Sequence, residues 1–67
     1  MPDTEKLKNA IANSGMKRKF IAKQLGISYY GLQKKVNGDT DFKGSEIALM
    51  RDILRLSNDE AAEIFLA

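Results

Sequence analysis

The sequence of 67 residues contains no cysteine and no histidine. No disulfide can form without cysteine, and a zinc site would lack both of the ligands that zinc prefers. The usual nucleophile–base pairs of covalent catalysis are missing as well. Since a chain this short also has little volume for an enclosed pocket, we expect no enzymatic activity, no metal, no cofactor and no small-molecule ligand.

The sequence also lacks a long apolar run, and its single proline is Pro2. No stretch approaches the ~20 apolar residues of a membrane-spanning helix, and the polar start with mixed charge is unlike a signal peptide. No segment alternates with the period of two that is typical of a half-buried strand. We therefore expect one soluble, all-α domain over residues 1–67, with no membrane partner.

Charge is distributed unevenly along the chain, although the net charge is only +2. Residues 1–38 contain eight Lys or Arg and two acidic residues, a net charge of +6. Residues 39–67 contain three Lys or Arg and seven acidic residues, a net charge of −4. This asymmetry indicates either a basic face for a polyanion, with an acidic end held away from it, or solvated helix faces that happen to differ.

Glycine and asparagine divide the chain into five short segments with helical spacing of apolar residues. Asp3 or Thr4 is a suitable start for the first helix, and Gly15 is a suitable end. Ser57 and Glu60 form the sequence signature of a capping box at the start of the fifth helix. The three segments between them are predicted at about residues 17–25, 28–36 and 44–54. The predicted architecture is a compact bundle of five helices.

Residues 16–38 carry the most informative pattern. Ala22 is small enough for a third helix to approach the second closely, and Gly26 suits a tight turn between them. A helix as polar as residues 28–36 is not stable alone, so its inner side must be held by neighbours and its outer side is a contact surface. The major groove of DNA is about as wide as one helix. The predicted core residues of this region are Phe20, Ile27, Leu32 and Val36.

In residues 21–38 the sequence resembles the lambda-repressor-like, Cro/CI-type (XRE) helix-turn-helix regulators. The segments that carry the resemblance are Ile21–Ser28, Leu32 and Val36–Gly38. Further along it resembles the small Cro-like and modulator-of-repression proteins of temperate phages of Gram-positive bacteria, at Phe42, Ser45–Ile47, Leu54–Ser57, Glu60 and Ile64–Phe65. The resemblance implies a helix-turn-helix formed by helices 2 and 3. It also implies a Cro-like repressor that binds double-stranded operator DNA in a phage lysis–lysogeny switch, in the cytoplasm and on the nucleoid of a bacterial host cell.

Carried over by position, the resemblance implies two sets of DNA contacts. Base contacts are expected from the outer side of the third helix, at Tyr29, Tyr30, Gln33 and Lys34. Phosphate contacts are expected at Lys17, Arg18, Lys19, Ser28, Asn37, Lys35 and Lys43. Gln33 has the groups to read adenine with two hydrogen bonds. The sequence departs from the family at Arg18, where a glutamine is frequent, and at Lys35, where many members have an apolar residue.

Some of these residues have a second interpretation. Ser28 is a good helix cap, and the lysines around Arg18 are also compatible with a solvated helix start. Tyr29 and Tyr30 are adjacent, so both cannot be buried on one helix face, and exposed tyrosine is typical of protein–protein interfaces. An alternative function is therefore an antirepressor that binds a CI-type repressor through Tyr29, Tyr30 and Gln33 and blocks its contact with DNA.

The last helix also has two interpretations. Its apolar residues Ile64, Phe65 and Leu66 either pack onto the core or form the contact of a homodimer. A lone domain would bind a single half-site of an operator weakly, which is an argument for a dimer.

Overall fold

The computed structural model describes residues 2–67, which form five α-helices and no strand. The helices are α1 (Thr4–Ser14), α2 (Arg18–Leu25), α3 (Tyr29–Val36), α4 (Gly44–Ile53) and α5 (Asn58–Phe65). Their bounds agree with the predicted segments to within one or two residues. The prediction of a compact, all-α domain with five helices is confirmed.

The ends of the helices follow from local hydrogen bonding. The Asp3 carboxylate accepts from the backbone N–H of Lys6 at 3.0 Å and caps α1. Gly15 ends α1 in the left-handed conformation, with φ of 73°, which costs glycine no steric strain. The predicted capping box of α5 is present, since Ser57 and Glu60 each accept from the other's backbone N–H.

The core draws apolar side chains from all five helices. Leu7 of α1, Ile21 of α2, Leu32 of α3 and Met50 of α4 are fully buried. The loop between α3 and α4 contributes the ring of Phe42, which meets the ring of Phe65 edge to face at 5.2 Å between centroids. The other buried apolar residues are Ile11, Ala22, Val36, Leu54, Ala61 and Ile64. This core holds α3 on its inner side, as the sequence predicts.

Phe20 was expected in the core and this is wrong, because its side chain is 45% exposed. The buried side of α2 is occupied by Ile21 and Ala22. Successive residues of a helix are separated by about 100°, so Phe20 lies about 150° from the middle of the arc between Ile21 and Ala22, on the far side of α2. Ile27, by contrast, is half-buried and packs against the core.

At the end of the chain, Ile64 and Phe65 are buried in the core, whereas Leu66 is 74% exposed. Core packing therefore accounts for two of the three residues that were also candidates for a dimer contact. The backbone of the start of the chain meets the same helix, because the N–H of Asp3 donates to the carbonyl of Ile64 at 2.6 Å. None of the helices in residues 2–67 is long and apolar enough to span a membrane.

Candidate nucleic-acid interface

A three-residue connection, residues 26–28, joins α2 to α3. Gly26 adopts the left-handed conformation with φ of 70°, and its N–H donates to the carbonyl of Lys23 at 3.1 Å. The N–H of Ile27 donates to the carbonyl of Ala22 at 3.0 Å, which closes the end of α2. The hydroxyl of Ser28 then accepts from the N–H of Gly31 at 2.9 Å and caps α3. The predicted turn and cap are both confirmed.

The four residues expected to contact bases share one side of α3. At about 100° per residue, Tyr29, Tyr30, Gln33 and Lys34 fall within less than half of the helix circumference, an arc that contains neither of the buried residues Leu32 and Val36. Tyr29 is 47% exposed and Tyr30 is 72% exposed. We call these four residues the outer face of α3.

Within the outer face, Lys34 lies over the ring of Tyr30, with Nζ 5.7 Å from the ring centroid. This cation–π contact follows from the spacing of four residues along the helix. It places the ammonium group of the half-buried Lys34 beside the most exposed aromatic ring of the described chain.

A hydrogen bond from α2 reaches the outer face. Nη1 of Arg18 donates to Oε1 of Gln33 at 2.7 Å, and both side chains are partly buried. The two residues are 15 positions apart in the chain, so spacing along a single helix gives no signal for this contact. Arg18 was expected to contact phosphate and Gln33 to contact a base, whereas the structure joins the two side chains.

The start of α2 lies next to this pair and carries exposed cations at Lys17 and Lys19. The side chain of Lys17 does not cap the helix, and no acidic residue stands in its first turn. Among the helices of residues 2–67, α2 alone has neither a side-chain cap nor an acidic residue in its first turn. The positive end of the helix dipole and the first backbone N–H groups are therefore open to an anion.

The remaining phosphate candidates differ in their surroundings. Ser28, Asn37 and Lys43 are exposed. Lys35 is on the opposite side of α3, with only 14% of its side chain exposed. Its Nζ lies 3.1 Å from Oε1 of Glu46 and donates to the carbonyl of Asp41 at 2.7 Å. The positive charge of Lys35 is thus neutralised inside the protein.

The carboxylate of Glu46 is the buried partner in this pair. Burial by itself would raise the pKa of Glu46, but the hydrogen bond from the backbone N–H of Lys43 and the ammonium of Lys35 outweigh it, and the pKa is lowered from 4.5. Oε1 of Glu46 accepts from the N–H of Lys43 at 2.7 Å. The pair therefore joins the end of α3 to the start of α4.

All charged residues within α2 and α3 are cations. No acidic residue occurs between Lys6 and Gly38 in the sequence.

Within residues 2–67, no group of three or more His, Cys, Asp or Glu residues is placed to hold a metal ion. An open cleft of about 400 Å³ lies elsewhere, between α1 and the region around Arg55, and none of the predicted site residues lines it.

Comparison of the chain with protein-family models, with curated proteins and with solved structures found no match. The resemblance to helix-turn-helix regulators therefore stays a prediction from the amino-acid sequence.

Proposed function

We propose that this protein binds double-stranded DNA through a helix-turn-helix formed by α2 and α3, as a Cro-like transcriptional repressor of a phage or prophage lysis–lysogeny switch. The observation that carries the proposal is the cationic, partly exposed surface formed by the outer face of α3 and the start of α2, which the bond from Arg18 to Gln33 joins. DNA binding depends strongly on such charge, because each phosphate contact releases condensed counterions.

In the proposed complex, α3 enters the major groove with its outer face toward the base edges. Lys34 donates to acceptor atoms there, and the tyrosine rings contact thymine methyl groups or their hydroxyls contact phosphates. The core side chain Leu32 and the cap at Ser28 hold α3 in position. The base-contacting residues therefore act from a helix that is anchored on its other side.

The start of α2 grips the DNA backbone in this proposal. A phosphate oxygen accepts from the open backbone N–H groups of α2, with Lys17 and Lys19 beside it. Ser28, Asn37 and Lys43 are exposed and complete the phosphate set. We leave Lys35 out of this set, because its ammonium group is held by Glu46.

The proposal is tested by fluorescence anisotropy with a labelled, random-sequence duplex of ~30 base pairs, in salt from 50 to 200 mM. We expect saturable binding at the lowest salt and a steep fall in affinity as salt rises, by about 0.9 in logarithmic slope for each phosphate contacted. Lys19→Ala is expected to reduce that slope by about 1.

Lys6→Ala is the matched control, because it removes the same charge from α1, where Lys6 pairs with Glu63. It should leave the slope unchanged. Absence of any complex at 50 mM salt, where electrostatic binding is strongest, would refute the proposed function.

The exposed tyrosines favour a second candidate function. Tyr29 and Tyr30 on α3 and Phe20 on α2 are all exposed, and exposed aromatic residues dominate many protein–protein interfaces. In this alternative, the protein is an antirepressor that binds a CI-type repressor. A pull-down of the repressor by the wild type, lost in the double variant Tyr29→Ala/Tyr30→Ala, together with no DNA binding, would favour it over the first proposal.

A homodimer is compatible with either function. The exposed Leu66 adjoins a small apolar groove lined by Ile47 and Ala62, among other residues. Two copies joined there would present two α3 helices to two half-sites. Sedimentation equilibrium of the wild type and of Leu66→Ser measures whether this contact forms.

A further inference from the structure

We propose that the hydrogen bond between Arg18 and Gln33 makes guanine, and not adenine, the base that this pair reads in the major groove. The inference rests on the proposed DNA binding and specifies its base preference. It starts from the 2.7 Å bond between Nη1 of Arg18 and Oε1 of Gln33. Hydrogen bonds from a charged donor are among the strongest in proteins.

The bond changes which groups Gln33 presents. A free glutamine reads adenine because its Oε1 accepts from the N6 amino group while its Nε2 donates to N7. In this protein Oε1 already accepts from Arg18, which uses one of its two lone pairs and sets the amide orientation, and the cation beside Oε1 disfavours a second donor there. The contribution of Gln33 to the groove is therefore mainly that of a donor.

Arg18 adds further donors at the same place. A guanidinium carries five N–H groups, of which one is used on Gln33. In residues 2–67, the ion pairs are Lys6–Glu63, Lys35–Glu46 and Arg51–Asp52, so no carboxylate neutralises Arg18. Its positive charge disfavours the amino group that adenine exposes and favours a base edge made of acceptors.

Guanine has that edge, because its N7 and O6 both accept in the major groove, whereas adenine offers one acceptor and one donor. Lys34 follows Gln33 on the outer face, and its ammonium group can only donate hydrogen bonds. The pair and Lys34 together match an edge with two acceptors. Arg18 is thus a positioning residue for the Gln33 amide and, where it reaches the base, a specificity-determining residue.

The experiment selects binding sequences from a random duplex pool with the wild type and with Arg18→Met, which keeps an unbranched side chain but loses the guanidinium. We expect the wild type to enrich guanine at one position of the site. In Arg18→Met the Gln33 amide is free to turn, and the preference at that position should move toward adenine by about five- to a hundredfold, the range of one bidentate base contact.

Two further variants distinguish this effect from a loss of charge or of folding. Lys19→Met removes one positive charge from the same helix and should weaken all sequences alike. Gln33→Glu still accepts from Arg18 but donates nothing, so guanine enrichment should disappear and cytosine, whose N4 amino group donates to a carboxylate, should gain. Circular dichroism establishes that each variant is folded. If Arg18→Met does not fold, the Gln33→Glu result decides the inference.

A failure of the proposed DNA binding can be distinguished from a failure of the proposed base preference. If the wild type binds no DNA at 50 mM salt, the proposed function fails. If the wild type binds but enriches adenine at the Arg18-dependent position, or if neither the Arg18→Met nor the Gln33→Glu variant alters base preference, DNA binding stands and this inference is overturned.

Discussion

The two sides of α3 differ in how the rest of the protein holds them. Lys34 and Lys35 are adjacent and chemically identical, yet Lys34 lies at the surface over the ring of Tyr30, and Lys35 is enclosed by Glu46, Asp41 and the ring of Phe42. On the inner side Leu32 is fully buried, whereas on the outer side Tyr30 is largely exposed.

The difference separates stability from binding along a single helix. Because a helix of eight residues with an internal glycine does not persist alone, α3 depends on the contacts of its inner side. The outer side can then carry side chains that bind a partner and contribute little to the stability of the fold. Substitutions on the inner side should therefore change mainly the stability of the fold, and substitutions on the outer side should change mainly binding.

The largest effect is expected from the inner apolar contact. Leu32→Ala removes a fully buried side chain and should lower the free energy of unfolding by about 2–5 kcal/mol. That is a large fraction of the stability of a domain this small. Urea denaturation followed by circular dichroism measures it. Tyr30→Ala is the control and should change stability by less than about 0.5 kcal/mol. Equal losses in the two variants would contradict the separation.

An intermediate effect is expected from the charged contact of the inner side. The pKa of Glu46 is lowered from 4.5 in the folded protein. The unfolded chain therefore binds a proton first as pH falls. The stabilisation from Glu46 is thus complete above about pH 5 and is lost as pH decreases through its folded pKa.

Glu46→Gln tests this contribution. At pH 7 it should cost about 1–3 kcal/mol, because the ammonium of Lys35 is left without its charged partner. The stability of the variant should also fall less than that of the wild type between pH 5 and 3, measured by thermal unfolding across that range. Glu60, whose pKa is also lowered by its hydrogen bonds to Ser57, contributes equally to both proteins and cancels in the difference. Parallel pH profiles would show that Glu46 does not act in this way.

The smallest effect on folding is expected at Lys34. Lys34→Ala loses an exposed cation–π contact worth about 0.5–1 kcal/mol at most, while the slope of DNA affinity against salt should decrease by about 1. Lys35→Met is the matched comparison, since it removes the same charge from the next residue. It should leave the salt slope nearly unchanged and reduce stability instead. A larger salt-slope change for Lys35→Met than for Lys34→Ala would reverse the assignment of the two sides.

Much of the fold could be predicted because it depends on neighbours in the chain. The caps at Asp3, Ser28 and Ser57 and the glycine ends use hydrogen bonds between residues at most four or five positions apart. Phe20 could not be predicted correctly, because an aromatic residue beside Ile21 fits a core side equally well until the direction from which neighbouring helices approach is known. The exposure of Phe20 is decided by how α2 packs against α3 and α4.

The candidate site also has features that the sequence predicts and features that only helix packing decides. The residue order alone indicates five helices, an inner side of α3 marked by Leu32 and Val36, and a basic stretch without acidic residues around α2 and α3. Folding in three dimensions adds the pairing of Lys35 with Glu46 and the bond from Arg18 to Gln33, whose partners lie 11 and 15 positions apart in the chain. Helical periodicity acts over a few residues, whereas these contacts require α3 to be docked against α2 and α4. Their geometry therefore exists only once the core has brought those helices together.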